Sequence, residues 1–394
     1  MSLLSHLERA PRDPILGLTE AFNADDRAEK VNLGVGVYQT EDGVVPLLDC
    51  VAEADRQITA AAKPYGYLPI DGLKTYDDAV AALVLGDRVP RDRVAVVQSL
   101  GGTGALKIGA DFLKLINPDA TVLISDPSWE NHRAIFTRAG FTVASYPYFD
   151  AATNGVDIEG MLAALQSAEP GTIVVLHACC HNPTGYDLTG EQWDQVLAVV
   201  AERGLVPLLD MAYQGFATGL AEDGAAVGKF VEAGITCLVS TSFSKTFSLY
   251  GERVGALQVV CPSADEAATV LSQLKIIVRT TYSNPPTHGA AVVATVLADP
   301  ALRRQWESEL AGMRERIQRM RVRLREGLKE ASGVDLAHIT TQNGMFSYSG
   351  LSKEQMVALR EQHAVYGLDS GRICVAALNE KNLPYVIGAI SAVL

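Results

Sequence analysis

Short apolar, β-branched runs alternate with helical patterns through the middle of the chain. Several runs are apolar at every position, which is typical of strands whose sheet is covered by helices on both faces. Two helical patterns between them span Gly104–Leu115 and Gly190–Arg203. The predicted strands are Val94–Gln98, Thr121–Ser125, Thr142–Tyr146, Thr172–His177, Val206–Asp210, Thr236–Ser240 and Ala256–Cys261. The alternation predicts an α/β fold with a mostly parallel seven-stranded sheet.

The C-terminal third of the chain has a different pattern. Apolar residues between about Ala301 and Lys329 recur every three or four positions and predict a long amphipathic helix. The tail has a mixed pattern, with predicted strands at Met345–Tyr348 and Ile373–Ala376, and is typical of a small α+β domain. The first 44 residues lack a complete domain pattern, so we expect them to pack on the tail. We therefore expect a large domain over residues 45–312 and a small domain from residues 1–44 and 313–394.

Composition and charge exclude several classes of protein. The chain has 394 residues, 48% of them hydrophobic and 20% charged, as in an ordinary soluble globular protein. Its net charge of −13 argues against nucleic acid or an anionic membrane as the main partner. No apolar run approaches the roughly 18 residues that span a bilayer, and the N-terminus lacks the apolar core of a signal peptide. Six scattered cysteines form neither a disulfide framework nor a metal spacing, which favours a reducing cytoplasm.

Polar or aromatic residues follow five of the predicted strands. In parallel α/β sheets, ligands bind beyond the carboxyl ends of the strands. One such segment would mean little, but five at the same edge predict a single pocket. The segments are Gly101–Thr103, Asp126–Trp129, His181–Gly185, Asp210–Tyr213 and Ser242–Lys245.

The segment from Ser242 to Gly255 carries the most informative chemistry. Lys245 follows a predicted strand, with hydroxyls at Ser242 and Ser244 and a guanidinium at Arg253. A lysine that forms an imine must lose its charge easily, and an arginine with hydroxyls suits a phosphate beside that imine. Together they indicate a Schiff base with pyridoxal phosphate. Taken alone, a surface lysine beside a solvated arginine is the alternative.

Asp210 and its neighbours fit the same cofactor. Asp210 ends an apolar run, and a buried carboxylate is costly without a cationic partner, which a protonated pyridine nitrogen would supply. Tyr213 and Asn182 can donate to the phenolate oxygen of the cofactor. The alternatives are a helix cap for Asp210, a core tyrosine and a plain turn.

Other residues could hold the phosphate, the ring and the substrate. The backbone of Gly101–Gly104 and the Thr103 hydroxyl make a phosphate cradle where a helix begins, although a simple turn is the alternative. Trp129 could stack on a pyridine ring or lie in the core. Arg372 and Arg279 could each bind a carboxylate through two parallel hydrogen bonds, or lie on the surface.

With these residues, the chain resembles a class I pyridoxal-phosphate-dependent aminotransferase of the aspartate and aromatic amino acid group. The resemblance runs from Asp13–Leu18 to Ser370–Arg372 and implies the type I fold of these transferases. Its longest motifs are Asn32–Tyr38, Tyr67–Gly72, Gly101–Leu106, Asp126–His132, Cys179–Gly185, Asp210–Phe216, Ser242–Gly255, Tyr282–Pro286 and Gly344–Tyr348.

The resemblance implies a role for each candidate residue. Lys245 forms the Schiff base and moves the proton, and Asp210 pairs with the ring nitrogen, supported by His132 and His177. The other cofactor contacts that it implies are Tyr213 and Asn182 at the phenolate oxygen, Trp129 on the ring, and Gly102, Thr103, Ser242 and Arg253 at the phosphate.

The resemblance also implies a homodimer with shared sites. Arg372, with Asn182 and the Gly36 backbone, is implied to bind the α-carboxylate of an amino acid or 2-oxo acid. Tyr67 and Arg279 are implied to reach the site of the partner subunit, where Arg279 meets the side-chain carboxylate of a dicarboxylic substrate.

Substrate preference divides this family. Gln39, Val45 and Gly66 depart from the aspartate type towards the aromatic branch, whereas Thr103 and Asn284 keep the aspartate pattern. We therefore expect a broad aromatic amino acid aminotransferase that uses 2-oxoglutarate and retains activity on aspartate, with a dedicated aspartate enzyme as the alternative. Another reaction of the same cofactor, a regulator that binds it, and a nucleotide-binding protein are further alternatives.

Overall fold

The computed structural model describes residues 2–10, 13, 15–64 and 66–394, so Pro14 of the Asp13–Leu18 motif lies outside the described residues. The strands are β1 (Val31–Asn32), β2 (Val94–Leu100), β3 (Thr121–Asp126), β4 (Thr142–Pro147), β5 (Phe149–Asp150), β6 (Gly155–Val156), β7 (Ile173–His177), β8 (Val206–Met211), β9 (Cys237–Ser242), β10 (Val254–Val260), β11 (Phe346–Tyr348), β12 (Val365–Tyr366) and β13 (Arg372–Cys374).

Helices surround these strands. They are α1 (Leu16–Ala24), α2 (Asp49–Ala60), α3 (Lys74–Leu85), α4 (Gly101–Ile116), α5 (Glu130–Arg138), α6 (Ile158–Gln166), α7 (Gly190–Arg203), α8 (Leu220–Asp223), α9 (Ala225–Glu232), α10 (Ala264–Thr281), α11 (His288–Ala298), α12 (Pro300–Ser332), α13 (Lys353–His363) and α14 (Leu383–Val393). Short 3₁₀ helices cover Arg91–Arg93, Ala337–Thr340 and Val375–Ala377. None of the described helices is both long and apolar enough to cross a membrane.

The main sheet has seven strands in the order β2-β10-β9-β8-β7-β3-β4. β10 is antiparallel to both of its neighbours, and every other pair is parallel. The predicted α/β class and the seven predicted strands are confirmed. In the register of the sheet, His177 at the end of β7 lies opposite Asp210 near the end of β8. The parallel strands therefore end at one edge, where the polar segments follow them.

Helices cover both faces of this sheet because its strands are apolar on both faces. Along β10, Val254, Ala256 and Val260 belong to one buried core, whereas Leu257 and Val259 belong to another. Alternate side chains of a strand point to opposite faces, so one strand contributes to two helical layers. α4 packs on β9 and β10 on the second face and begins directly after β2, which fixes the glycine turn at the edge of the sheet.

The two ends of the chain pair with each other. β1 runs parallel to β12, and the Cys374 N–H donates to the Leu33 carbonyl. β11 pairs with β13, whereas the predicted strand Ile373–Ala376 is wrong beyond Cys374, because a 3₁₀ helix begins at Val375. These contacts place both ends in one region, and the division at residues 45 and 312 stays a prediction.

The predicted amphipathic helix is α12, which is 33 residues long. Asp299 caps its first turn by accepting hydrogen bonds from the N–H groups of Ala301 and Leu302, and Gly333 ends it in the left-handed conformation. Its buried side includes Trp306 and Arg321. The Trp306 Nε1 donates to the Thr246 carbonyl and Arg321 donates to the Ile339 carbonyl, so the helix runs from the segment after β9 to the region where the chain ends meet.

Candidate active site

A cavity of about 280 Å³ lies at the carboxyl edge of the main sheet. The structure brings most of the predicted site residues together around it, from the ends of five strands and from both ends of the chain. They are Gly36, Gly102, Thr103, Trp129, Asn182, Asp210, Tyr213, Ser242, Lys245, Arg253 and Arg372. Tyr67 and Arg279 do not line it, because in one chain both side chains are exposed, Tyr67 at 96%.

Lys245 lies three residues after β9, and its amine lies 4.9 Å from the centre of the Tyr213 ring. Burial lowers the pKa of this amine to about 8, and the charges of Arg253 and Arg372 act in the same direction, against the opposing charge of Asp210. A large fraction of this lysine is therefore neutral near pH 8, as a nucleophilic amine requires.

The buried amine makes the stability of the ligand-free protein depend on pH. Below pH 8 the amine is charged in both the folded and the unfolded protein, and because burial of this charge is unfavourable, it opposes folding. From pH 8 to its ordinary pKa of 10.5 the unfolded chain holds more protons, so stability rises with pH. We expect ligand-free Lys245→Met to be more stable than the parent by about 3 kcal/mol at pH 7, with the difference lost above pH 10.5. Urea unfolding at several pH values measures this, and equal stabilities at pH 7 would contradict it.

Asp210 is a buried carboxylate held by histidine. Its Oδ2 lies 2.9 Å from Nε2 of His132, whose Nδ1 lies 3.0 Å from the Ser128 hydroxyl. Burial alone would raise the pKa of Asp210, but the hydrogen bond with His132 and the charge of Lys245 outweigh it, so the net pKa is below its usual value. Burial lowers the pKa of His177 to about 3, so this ring stays neutral. The carboxylate is thus ionised and can face a second cation.

The glycine turn and Arg253 form a cradle beside Lys245. The Gly101 N–H donates to the Arg253 carbonyl, and Nη1 of Arg253 donates to the Ser244 hydroxyl at 3.2 Å. A Cβ on Gly101, which has φ of +67°, would lie 2.4 Å from Nη2 of Arg253, and one on Gly102 would lie 3.1 Å from Cβ of Ser242. Only glycine leaves this space open. Amides at a helix start, hydroxyls and a guanidinium together suit a phosphate.

Arg372 is the most buried cation of the cavity, with 1% of its surface exposed. Its Nη1 donates to Oδ1 of Asn182 at 3.0 Å, and its Nη2 donates to the Gly34 carbonyl at 2.7 Å. The guanidinium carbon lies 4.2 Å from the centre of the Phe346 ring, and Nε is buried without a hydrogen-bond partner among the described residues. A buried cation with spare donors is suited to bind a carboxylate.

The sequence analysis gave no role to Tyr250 or Phe346, which both line the cavity. Tyr250 lines the cavity, and its hydroxyl accepts a hydrogen bond from the Tyr38 N–H. Its position within the Ser242–Gly255 segment could have indicated it. Phe346 lies beneath Arg372, and a Cβ on Gly36 would lie 2.4 Å from its ring. Its position within the Gly344–Tyr348 motif could have indicated it, although its own pattern is that of a core residue.

The chain is similar to a known protein family and to named relatives over nearly its whole length. The model of the family described as aminotransferase class I and II matches residues 28–390. The aspartate aminotransferase of Pseudomonas aeruginosa is 56% identical over 100% of both chains. The aromatic-amino-acid aminotransferase of Escherichia coli is 51% identical over 97% of this chain and 98% of its own.

A solved structure shares the fold over the whole chain. It is the crystal structure of an aromatic-amino-acid aminotransferase from Burkholderia pseudomallei, covalently bound to pyridoxal phosphate. It is 61% identical and superposes with a TM-score of 0.97, with 100% of both chains covered. The similarity therefore includes the chain ends around Arg372 as well as the main sheet.

Proposed function

Because the chain belongs to the class I and II aminotransferases, we propose that it transfers the amino group of tyrosine or phenylalanine, and also of aspartate, to 2-oxoglutarate. The chain is a transaminase that depends on pyridoxal phosphate. The observation that carries the proposal is the Lys245 amine, whose pKa is lowered beside the ionised Asp210, in a cavity that also contains the buried Arg372.

The residues of the cavity fit pyridoxal phosphate. Lys245 would carry it covalently, Asp210 would face its ring nitrogen, and Trp129 would lie on its ring. Tyr213 and Asn182 would hold its phenolate oxygen. Its phosphate would occupy the cradle formed by Gly102, Thr103, Ser242 and Arg253, whose open space a Cβ on Gly101 would fill. When bound, the cofactor supplies the electron sink for the bond broken at the substrate α-carbon.

Lys245 is the residue placed to move the proton. Because burial and the nearby guanidinium groups favour its neutral form, the free amine can take a proton from the substrate α-carbon. As an ammonium it becomes the acid that returns the proton, and the charge of Asp210 stabilises it during that time. The buried Tyr213 keeps its own proton, since burial raises its pKa well above the usual value.

Arg372 orients the substrate through its α-carboxylate. Asn182 and the Gly34 carbonyl each engage one Nη group, which leaves Nε and further hydrogens on the Nη groups for a carboxylate. A two-point clamp fixes the direction of the Cα–H bond as well as the position of the substrate. This arrangement suits both amino acids and 2-oxo acids, which carry the same group.

A homodimer would complete the site. Tyr67 and Arg279 lie on the surface of one chain, away from its own cavity, and Ile276 beside Arg279 on α10 is an apolar residue exposed at 58%. We infer that these residues pack against a second copy of the chain, and that Tyr67 and Arg279 enter the active site of that copy. A cytoplasmic location is proposed because all six cysteines are buried free thiols.

The aromatic preference is supported by the wall of the cavity. One part of this wall has apolar side chains that an aromatic side chain can contact, namely Ile15, Val35, Val37, Leu106 and Phe346. The aspartate aminotransferase of Pseudomonas aeruginosa, at 56% identity, keeps a dedicated aspartate enzyme as the second candidate.

Steady-state kinetics separates the two candidates. We expect kcat/KM for phenylalanine or tyrosine to equal or exceed that for aspartate, because the apolar wall binds a ring. Arg279→Leu should lower kcat/KM for aspartate by about 10²-fold, through loss of a charged hydrogen-bonded pair, and leave phenylalanine nearly unchanged. A preference of the parent enzyme for aspartate of about a thousandfold or more would reject the aromatic assignment.

A further inference from the structure

Arg321 is a buried cation that bonds only to backbone oxygens among its described hydrogen-bond partners. It lies on α12 with 2% of its surface exposed. Its Nη1 donates to the Ile339 carbonyl at 3.0 Å, and its Nη2 donates to the carbonyls of Gly344 at 2.9 Å and Phe346 at 2.5 Å, with Asn343 further away at 3.3 Å. Burial lowers its pKa to about 10, so it stays charged at neutral pH. An arginine held in this way fixes the course of the segment from 339 to 346.

That segment packs on the turn that carries Asn182. The Asn343 N–H donates to the Gly185 carbonyl at 2.6 Å, and the Asn343 side chain donates to Asp187 at 3.0 Å. A Cβ on Gly344 would lie 2.6 Å from Cβ of Cys180, so the two stretches of backbone are in close contact. A shift of one segment must therefore shift the other.

Both the 339–346 segment and the turn that carries Asn182 contact Arg372. The Phe346 ring lies against its guanidinium group, and Asn182 accepts its hydrogen bond. We propose that Arg321 is a positioning residue for the carboxylate clamp, holding Phe346 and Asn182 so that Arg372 keeps its orientation. This inference rests on the proposed function, in which Arg372 binds the α-carboxylate.

Lysine cannot replace this arginine. The planar guanidinium group reaches the Ile339 carbonyl with one nitrogen and the Gly344 and Phe346 carbonyls with the other. An ammonium group is a single point with three donors, so it would leave part of this set without a partner. Arg321→Lys therefore keeps the charge and loosens the segment.

The test uses 3-phenylpropionate, a carboxylate without an amine, and the enzyme loaded with its cofactor. In calorimetry we expect Arg321→Lys and Arg321→Met to weaken its binding by about tenfold or more, with visible absorbance showing unchanged cofactor content. KM for phenylalanine should rise more than kcat falls. The matched control is Arg325→Lys on the same helix, because Arg325 bonds to Asp335 and Thr340 but not to the 343–346 carbonyls.

Each outcome bears on the proposal. Unchanged binding in a folded Arg321→Lys, with only a lower Tm, would show that Arg321 serves the fold alone. If Arg321→Met does not fold, Arg321→Lys decides, and failure of both to fold would also overturn the positioning role. If 3-phenylpropionate does not bind the parent enzyme, or binds Arg372→Met equally well, the proposed function of Arg372 fails instead.

Discussion

Replacement of Lys245 by alanine is expected to lower kcat/KM for every amino acid by about 10⁴-fold or more. Among the residues that the structure describes, Lys245 has the only lysine nitrogen lining the cavity, and its lowered pKa suits both covalent attachment and proton transfer. The same change should remove the visible absorption band that a covalently attached cofactor gives. Single-turnover kinetics and the absorption spectrum of the purified variant measure both effects.

Lys107 supplies the matched control for this experiment. It lies on α4, one and a half turns from the glycine turn, and forms an ion pair with Asp111 outside the cavity. Lys107→Ala should keep the band and nearly all of the activity, since a half-buried ion pair at the surface contributes little. Retention of the absorption band in Lys245→Ala would overturn the assignment of Lys245.

Replacement of Asp210 by asparagine is the second large effect, and we expect kcat to fall by about 10³-fold. Asparagine keeps the shape of the side chain and a contact with His132, but it removes the charge that would keep the ring nitrogen protonated. The loss should fall on kcat rather than on KM for the amino acid, because Asp210 does not contact the carboxylate clamp. Steady-state kinetics with saturating amino acid measures it.

Asp77→Asn is the control for burying an amide in place of an acid. Asp77 is 5% exposed, lies outside the cavity lining, and burial together with Asp71 raises its pKa to about 8, so at pH 7 it is largely neutral already. Its replacement should leave kcat nearly unchanged. A kcat for Asp210→Asn within tenfold of the parent would contradict the electrostatic role.

The main sheet and the cavity residues at its carboxyl edge could be predicted from local sequence patterns. Strand β8 is apolar on both faces, so its sequence alone shows a covered parallel strand, and its last residues Asp210 and Met211 mark the edge of the sheet. Once the strands are in register, Asp210 must lie near the ends of β7 and β9. Proximity of Asp210 to Lys245 is therefore a consequence of strand order rather than of sequence spacing.

The remaining site contacts depend on distant parts of the chain. Phe346 meets Arg372 because β11 pairs with β13, and Gly34 reaches Arg372 because β1 pairs with β12. The two-residue strands β1 and β12 carry too little periodicity to be recognised alone, and the strands predicted at β11 and β13 do not indicate by their sequence that they pair with each other. The predicted end of the second of these strands at Ala376 is wrong, because β13 ends at Cys374 and the apolar residues after it form a 3₁₀ helix.

Pairing of β1 with β12 has a consequence for biosynthesis. The strand at residue 31 pairs with the strand at residue 365, so more than three hundred residues must leave the ribosome before this pair can form. The main sheet contains no residue after Val260 and can assemble earlier. A nascent chain therefore presents Lys245 on a formed sheet while Gly34 and Arg372 are still apart, and the carboxylate clamp forms only after Arg372 has left the ribosome.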